Sequence, residues 1–76
     1  MIDDKKLAKE LTGRLLNAST AIERTVGLAR ESASNDEFLA YRAGVGKVLE
    51  EMLWELLNPI FKRHPDLKPK GWDSTS

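Results

Sequence analysis

The stretch YRAGVGKVLEEMLWELLNPIF, residues 41–61, carries more apolar side chains than one side of a helix needs. On a helical wheel at about 100° per residue, the apolar positions from Phe38 to Phe61 spread over an arc of about 240°. A surface helix that packs against a single neighbour shows an apolar arc of about 100°. The stretch therefore predicts a helix with at least two helical neighbours.

The apolar positions of this helix fall into two sets on the wheel. The first set is enough to cover one neighbouring helix, and it consists of Phe38, Tyr41, Val45, Val48, Leu49, Met52, Leu56 and Ile60. The second set widens the arc on one side, and it consists of Leu39, Ala43, Gly46, Leu53, Trp54, Leu57 and Phe61. Burying a large apolar side chain is worth about 1.5–3 kcal/mol, which a small domain cannot forgo. We predict that the second set forms an interface with a partner chain.

An earlier helical pattern covers residues 3–32, where apolar residues recur at steps of three and four. Asp3 is expected to cap the N-terminus of this helix, since its carboxylate can accept the unpaired backbone N–H groups of the first turn. Ile2 and Leu7 then occupy the two positions of a hydrophobic staple around the cap. The pattern predicts one long amphipathic helix that packs against the first apolar set.

The segment between the two helices contains Ser34 and, three residues later, Glu37, immediately before the next apolar run. This spacing is that of a capping box, in which each side chain accepts a hydrogen bond from the backbone N–H of the other residue. The segment therefore predicts a short turn and the start of the second helix at about residue 35. Two long helices joined by a short turn run antiparallel.

The end of the second helix depends on Pro59, which lacks a backbone N–H and crowds the carbonyl four residues earlier. Asn58 and Pro59 also suit the cap and first position of a new short helix. Because Ile60 and Phe61 continue the apolar register, a bent helix that continues to about residue 63 is favoured over a restart. Pro65 then ends it. We predict a helical domain over residues 1–64 and an extended, flexible arm over residues 65–76.

These elements predict an all-α fold, an antiparallel helical hairpin that forms a four-helix bundle as a homodimer. A single domain of 76 residues has a thin margin of stability, and the chain contains no Cys for disulfides. Self-association is the usual remaining remedy. Two alternatives stay open for covering the second set: the C-terminal arm folds back through Leu67 and Trp72, or a different protein binds.

The sequence contains no residue pattern typical of an enzyme or of a cofactor site. His64 is the single histidine and the chain has no Cys, so a zinc site lacks ligands and Cys–His catalysis is excluded. A Ser–His–Asp triad would depend on His64, which precedes Pro65 at a helix end, where a histidine more often caps carbonyls. We therefore expect no catalytic, metal or cofactor residues. The helical hairpin, the asparagine–proline pair and the HPDLKP segment suggest a short protein of bacterial origin, and they match no family pattern.

A nucleic-acid-binding role is the main functional alternative. It would use the basic C-terminal segment, whose cations and aromatic ring are Lys62, Arg63, Lys68, Lys70 and Trp72. Twelve basic and twelve acidic residues balance over the whole chain, so no general positive field supports this role.

The longest apolar run is about ten residues, half of what a membrane span requires, and the N-terminus lacks a signal segment. We therefore expect a cytoplasmic protein with no membrane contact. We predict a non-enzymatic protein–protein interaction module, a scaffold, regulator or adaptor, that acts as a homodimer or as the obligate partner of another protein.

Overall fold

The computed structural model describes residues 2–69. Within that range the chain is all-helical and contains no strand, which confirms the predicted fold class and is consistent with a helical hairpin. Its elements in chain order are α1 (Lys5–Ser32), α2 (Asn35–Met52), a π-helical segment (Leu53–Leu57), α3 (Asn58–Arg63) and a 3₁₀ turn (Pro65–Leu67). We call the uninterrupted run from α2 to α3 the second rod. No helix among the described residues has the length and apolar character needed to cross a membrane.

The first helix begins one residue later than predicted. Asp4, not Asp3, is the N-cap, and its carboxylate accepts a backbone N–H two residues on at 3.1 Å. The predicted staple is also wrong, because the shift moves its two positions from Ile2 and Leu7 to Asp3 and Ala8. Leu7 is accordingly exposed, whereas Ile2 packs directly against the hydrophobic core.

The turn between α1 and the second rod contains the predicted capping box, and the prediction is confirmed. The Ser34 hydroxyl accepts the Glu37 backbone N–H at 3.2 Å, and the Glu37 carboxylate accepts the Ser34 N–H at 2.9 Å. These hydrogen bonds from Ser34 to the carboxylate lower the pKa of Glu37 below its usual value. The turn is short because only Ala33, the C-cap of α1, and Ser34, the N-cap of α2, separate the two helices.

Pro59 is accommodated by the π-helical segment that directly precedes it. The backbone N–H of Asn58 donates to the carbonyl of Leu53, five residues back, instead of the usual four. This wider turn makes room for the proline ring near the carbonyl of Glu55. Leu57 and Asn58 keep right-handed helical backbone angles, so the predicted continuation to residue 63 is confirmed and the alternative of a restart at Asn58 is wrong.

The π-helical segment changes which side chains face the first helix. A π turn holds about one residue more than an α turn, so the inward positions after it fall one residue later. Straight α-helical register from Met52 would bury Leu56, which the structure leaves 40% exposed. Leu57 is buried instead, at 2% exposure, and Phe61 joins Ile60 in the core. The second rod therefore follows two helical registers, one on each side of the segment.

The hydrophobic core lies at the open end of the hairpin, away from the turn. Its buried members are Ala8 of α1 together with Leu57, Ile60 and Phe61 of the second rod. The partly buried side chains packed around them are Ile2, Leu11, Leu15, Leu16, Met52, Leu53 and Leu67. Ala8 provides the small surface on which the three larger side chains can approach the first helix closely.

A thinner contact holds the two rods together nearer the turn. Phe38 and Val45 are the buried apolar residues of α2. The guanidinium carbon of Arg30, in the last turn of α1, lies 5.1 Å from the centre of the Phe38 ring, a cation–π geometry. The Tyr41 hydroxyl is hydrogen-bonded to Thr25 at 2.6 Å, which links the rods further along.

Polar contacts close the open end of the hairpin. The His64 ring nitrogen Nε2 lies 2.7 Å from the carbonyl of Ile2, and Arg63 Nε lies 2.9 Å from the Asp3 carboxylate. An ion pair also joins Lys5 to Asp66. These contacts hold the last residue of the second rod and the residues that follow it against the start of the first helix.

The first part of the predicted arm is therefore docked, which corrects its description as extended. Residues 65–67 form the 3₁₀ turn, and Leu67 packs on the core. This contact agrees with the alternative in which the arm folds back through Leu67 and Trp72. Trp72, the other member of that alternative, lies outside the described residues. Leu67 covers one end of the core and leaves the flank of the second rod accessible.

Candidate functional site

The described residues bury few side chains and expose many large apolar ones. The buried residues are Ala8, Thr12, Phe38, Val45, Leu57, Ile60 and Phe61. The exposed large apolar residues are Leu7, Leu28, Leu39, Tyr41, Val48, Trp54 and Leu56. Two helices offer each other only one face, so a hairpin alone cannot enclose this amount of apolar surface. Exposed apolar residues mark a binding site where they gather beside a groove, whereas scattered ones are ordinary.

One hollow lies between α1 and the flank of the second rod and has a volume of about 490 Å³. The second rod supplies most of its walls, and α1 closes one side with Ser19 and Glu23. Its lining residues on the second rod are Gly46, Leu49, Glu50, Met52, Leu53, Trp54, Leu57 and Asn58. Gly46 contributes no side chain to this wall, and a Cβ atom built at that position would meet nothing within 4 Å.

A second hollow of about 440 Å³ lies on the other side of Trp54 and Asn58, which line both hollows. Its other lining residues are Phe61, Lys62, Pro65 and Lys68. We call the two hollows together the Trp54 groove. The groove runs along one flank of the second rod with the indole ring at its middle.

Trp54 is the most distinctive side chain of this groove. It is 58% exposed although it belongs to the π-helical segment, next to the most tightly packed part of the core. Tryptophan is among the residues most enriched where protein interfaces carry most of their binding energy. π-Helical turns also occur frequently at functional sites, because they place side chains where a regular α-helix would not.

The structure brings five of the seven predicted interface residues together in the groove: Gly46, Leu53, Trp54, Leu57 and Phe61. Leu57 and Phe61 are buried by their own chain, so the prediction that a partner is needed to cover them is corrected. The π-helical register turned both inward, where they form the floor of the groove. Leu39 and Ala43 are exposed nearer the turn and do not line the groove. Whether a partner covers the groove stays a prediction.

The predicted nucleic-acid residues are not gathered into one basic surface. Lys62 and Lys68 line the second hollow, but Arg63 is paired with Asp3 at 2.9 Å on a different side of the rod. Lys70 and Trp72 lie outside the described residues. The role of this segment in binding nucleic acid stays a prediction.

The groove carries opposite charges at its two ends. Glu23 and Glu50 border the first hollow, and Lys62 and Lys68 border the second. Within residues 2–69, none of these four side chains forms an ion pair. The predicted site residues did not include Glu23 or Glu50. On the helical wheel Glu50 lies in the arc spanned by the second apolar set, and that position was the signal that could have placed it at the site.

Elsewhere among residues 2–69, no three His, Cys, Asp or Glu side chains converge as metal ligands would. The His64 ring is hydrogen-bonded to the Ile2 carbonyl. Thr12 is a buried residue of α1 whose hydroxyl has no hydrogen-bond partner within the described residues.

The fold and the groove together define the class of molecule, an all-helical hairpin with an apolar groove along one flank. Comparisons with protein-family models, with curated proteins and with solved structures gave no match to the chain. The function must therefore be inferred from the groove itself.

Proposed function

We propose that the chain is a small non-enzymatic protein–protein interaction module that acts as a homodimer, with the Trp54 groove as its interface. The single observation that carries the proposal is the 58% exposure of Trp54 between two apolar hollows. In the dimer, the second rods of both copies lie at the centre of a four-helix bundle. Each indole then enters the space beside the other rod.

The energetics of the single chain support this assignment. With only seven buried residues among those described, the hairpin holds a small core concentrated at one end. By the usual scaling per residue, a domain of this size has a stability of about 4–11 kcal/mol. Interfaces of stable dimers bury about 800 Å² on each partner. A contact of that size along the second rod adds free energy comparable to the stability of the hairpin itself.

The composition of the groove also fits a protein partner better than a small ligand. Its floor is aliphatic and aromatic, from Leu53, Leu57 and Phe61, and charged residues stand only at its ends. An apolar centre with a charged rim is the usual anatomy of a protein–protein interface. Both hollows open along the same rod, so a second helix fits them better than a compact molecule.

The experiment that tests the proposal is the measurement of molar mass in solution. Sedimentation equilibrium of the full chain is expected to give about 17 kDa, twice the 8.5 kDa of one chain. The measurement should extend from about 1 to about 100 µM. This range detects dissociation constants down to about 1 µM, which corresponds to a binding free energy of about −8 kcal/mol. A mass of one chain at the highest concentration would overturn the homodimer, and binding to a different protein would then remain.

A further inference from the structure

The charges at the two ends of the Trp54 groove are placed symmetrically along the second rod. Glu50 lies six residues before position 56 and Lys62 six residues after it. At about 1.5 Å per residue, each charge is about 9 Å from that midpoint along the rod. Both side chains are exposed and line the groove, at opposite ends. Such an arrangement is self-complementary, since turning a second copy end for end brings opposite charges together.

We propose that two copies pair through antiparallel second rods about a two-fold axis between Trp54 and Asn58, so that Glu50 meets the partner's Lys62. This arrangement rests on the homodimer proposed above and specifies its geometry. A two-fold interface makes every contact twice, so one dimer contains two such ion pairs. Glu23 and Lys68 extend the same acidic and basic ends beyond them.

The centre of the interface is complementary in the same orientation. Each residue meets the one equally far from position 56 on the other chain, so Trp54 meets the partner's Asn58. Within residues 2–69, neither the Trp54 indole N–H nor the Asn58 side-chain amide forms a hydrogen bond. A tryptophan N–H requires an acceptor once it is buried, and the amide oxygen of asparagine is an acceptor.

The parallel orientation lacks both features. It would place Glu50 opposite the partner's Glu50 and Lys62 opposite the partner's Lys62, at the two ends of one interface. Like charges in register oppose association and are a common means of excluding a wrong arrangement. It would also set the two indole rings against each other and leave their N–H groups without the asparagine acceptor. The antiparallel orientation pairs each Glu50 with the partner's Lys62 and gives each indole N–H an asparagine acceptor.

Charge reversal tests the arrangement. Glu50→Lys and Lys62→Glu each replace two attractive pairs by two repulsive ones, and each is expected to raise the dimer dissociation constant about 10- to 100-fold at low salt. The double variant Glu50→Lys/Lys62→Glu restores opposite charges and is expected to return within about threefold of the wild type. Glu51→Lys and Lys47→Glu are matched controls, because both are exposed residues outside the groove. Neither control should change the constant by more than about threefold.

A distance measurement gives an independent reading of orientation. The chain has no Cys, so Lys47→Cys introduces a single site for a spin label. Position 47 is nine residues from the midpoint, and the antiparallel dimer is expected to separate the two labels by about 30 Å. A parallel dimer would separate them by about 15 Å.

The outcomes distinguish the arrangement from the function on which it rests. A wild-type chain that remains a monomer would overturn both. A wild-type dimer whose single reversals match the controls, or whose double variant does not recover, would overturn the arrangement and leave the interaction module standing. A short distance between the labels at position 47 would do the same.

Discussion

Replacing Trp54 with alanine is the sharpest perturbation of the proposed interface. The indole is already 58% exposed in the single chain, so its removal costs the hairpin little of its own packing. Exposed positions of this kind usually change folding stability by about 0.5 kcal/mol or less. The effect of the substitution should therefore fall almost entirely on association.

The magnitude follows from the area that a partner would cover. A tryptophan side chain offers about 200 Å², of which the exposed 58% is about 115 Å². At about 25 cal/mol per Å², covering it is worth about 3 kcal/mol per copy and about 6 kcal/mol per dimer. Full coverage is the upper bound of this estimate. Trp54→Ala is expected to raise the dimer dissociation constant by up to about 10⁴-fold.

Sedimentation equilibrium at matched concentrations measures this change directly, with circular dichroism to verify that each variant is helical. Leu28→Ala is the control, because Leu28 is 67% exposed on α1 and does not line the groove. It should leave the dissociation constant within about threefold of the wild type. If Trp54→Ala dimerises as tightly as Leu28→Ala, the indole is not at the interface and the reasoning from its exposure is refuted.

Three further predictions concern the folding of the hairpin. Thr12→Val replaces an unpaired buried hydroxyl with a methyl group of similar shape, and we expect urea denaturation to give a free energy of unfolding about 1–2 kcal/mol higher. Gly44→Ala should add about 1 kcal/mol in the same assay, because a Cβ atom at this helical position meets nothing within 4 Å. Glu37 and Asp66 have lowered pKa values, from usual values of 4.5 and 3.8, through hydrogen bonds from Ser34 and from a lysine. The folded state therefore favours their ionised forms, and the urea midpoint is expected to be highest above these usual values and to fall as the pH drops below them.

Each of these has a control that separates it from a general effect. Thr12→Ala should be less stable than Thr12→Val, since it removes the hydroxyl but also leaves a cavity; no gain in stability for Thr12→Val would show that the unpaired hydroxyl does not destabilise the folded state. For Gly44, proline at the same position should destabilise strongly, and a neutral effect of alanine would mean that the helix is not formed there. Glu37→Gln should weaken the fall of the urea midpoint at acid pH. An unchanged pH profile would show that the capping box does not cause this fall.

Much of this fold could be predicted because local signals determine it. The capping box at Ser34 and Glu37 involves side chains three residues apart, so its geometry depends on little else. The period of the apolar residues likewise predicted two long helices. The cap at Asp4 was missed because Asp3 and Asp4 are both competent, and the choice depends on tertiary contacts. Arg63, from the far end of the chain, engages the Asp3 carboxylate.

The candidate site was harder to predict because it depends on one local departure from α-helical geometry. A wheel at about 100° per residue does not account for the extra residue in a π turn, so it misplaces side chains beyond that turn by about one position. Leu57 and Phe61 were therefore placed on the flank, although the structure turns them inward. The surplus of apolar surface was real, but its extent was overestimated. The apolar surface that stays accessible on this flank is narrower than predicted and is centred on Trp54.

That local departure also explains why the flank forms a groove. Pro59 makes the wider turn favourable, and the register change that follows draws Leu57 and Phe61 into the core. In straight α-helical register these two side chains would stand beside Trp54 and fill the flank as a ridge. Drawn inward, they become a floor below the indole, with a hollow on each side. A single proline thus stabilises the hairpin's own core and shapes the surface available to a second copy, so the two properties cannot be varied independently at this position.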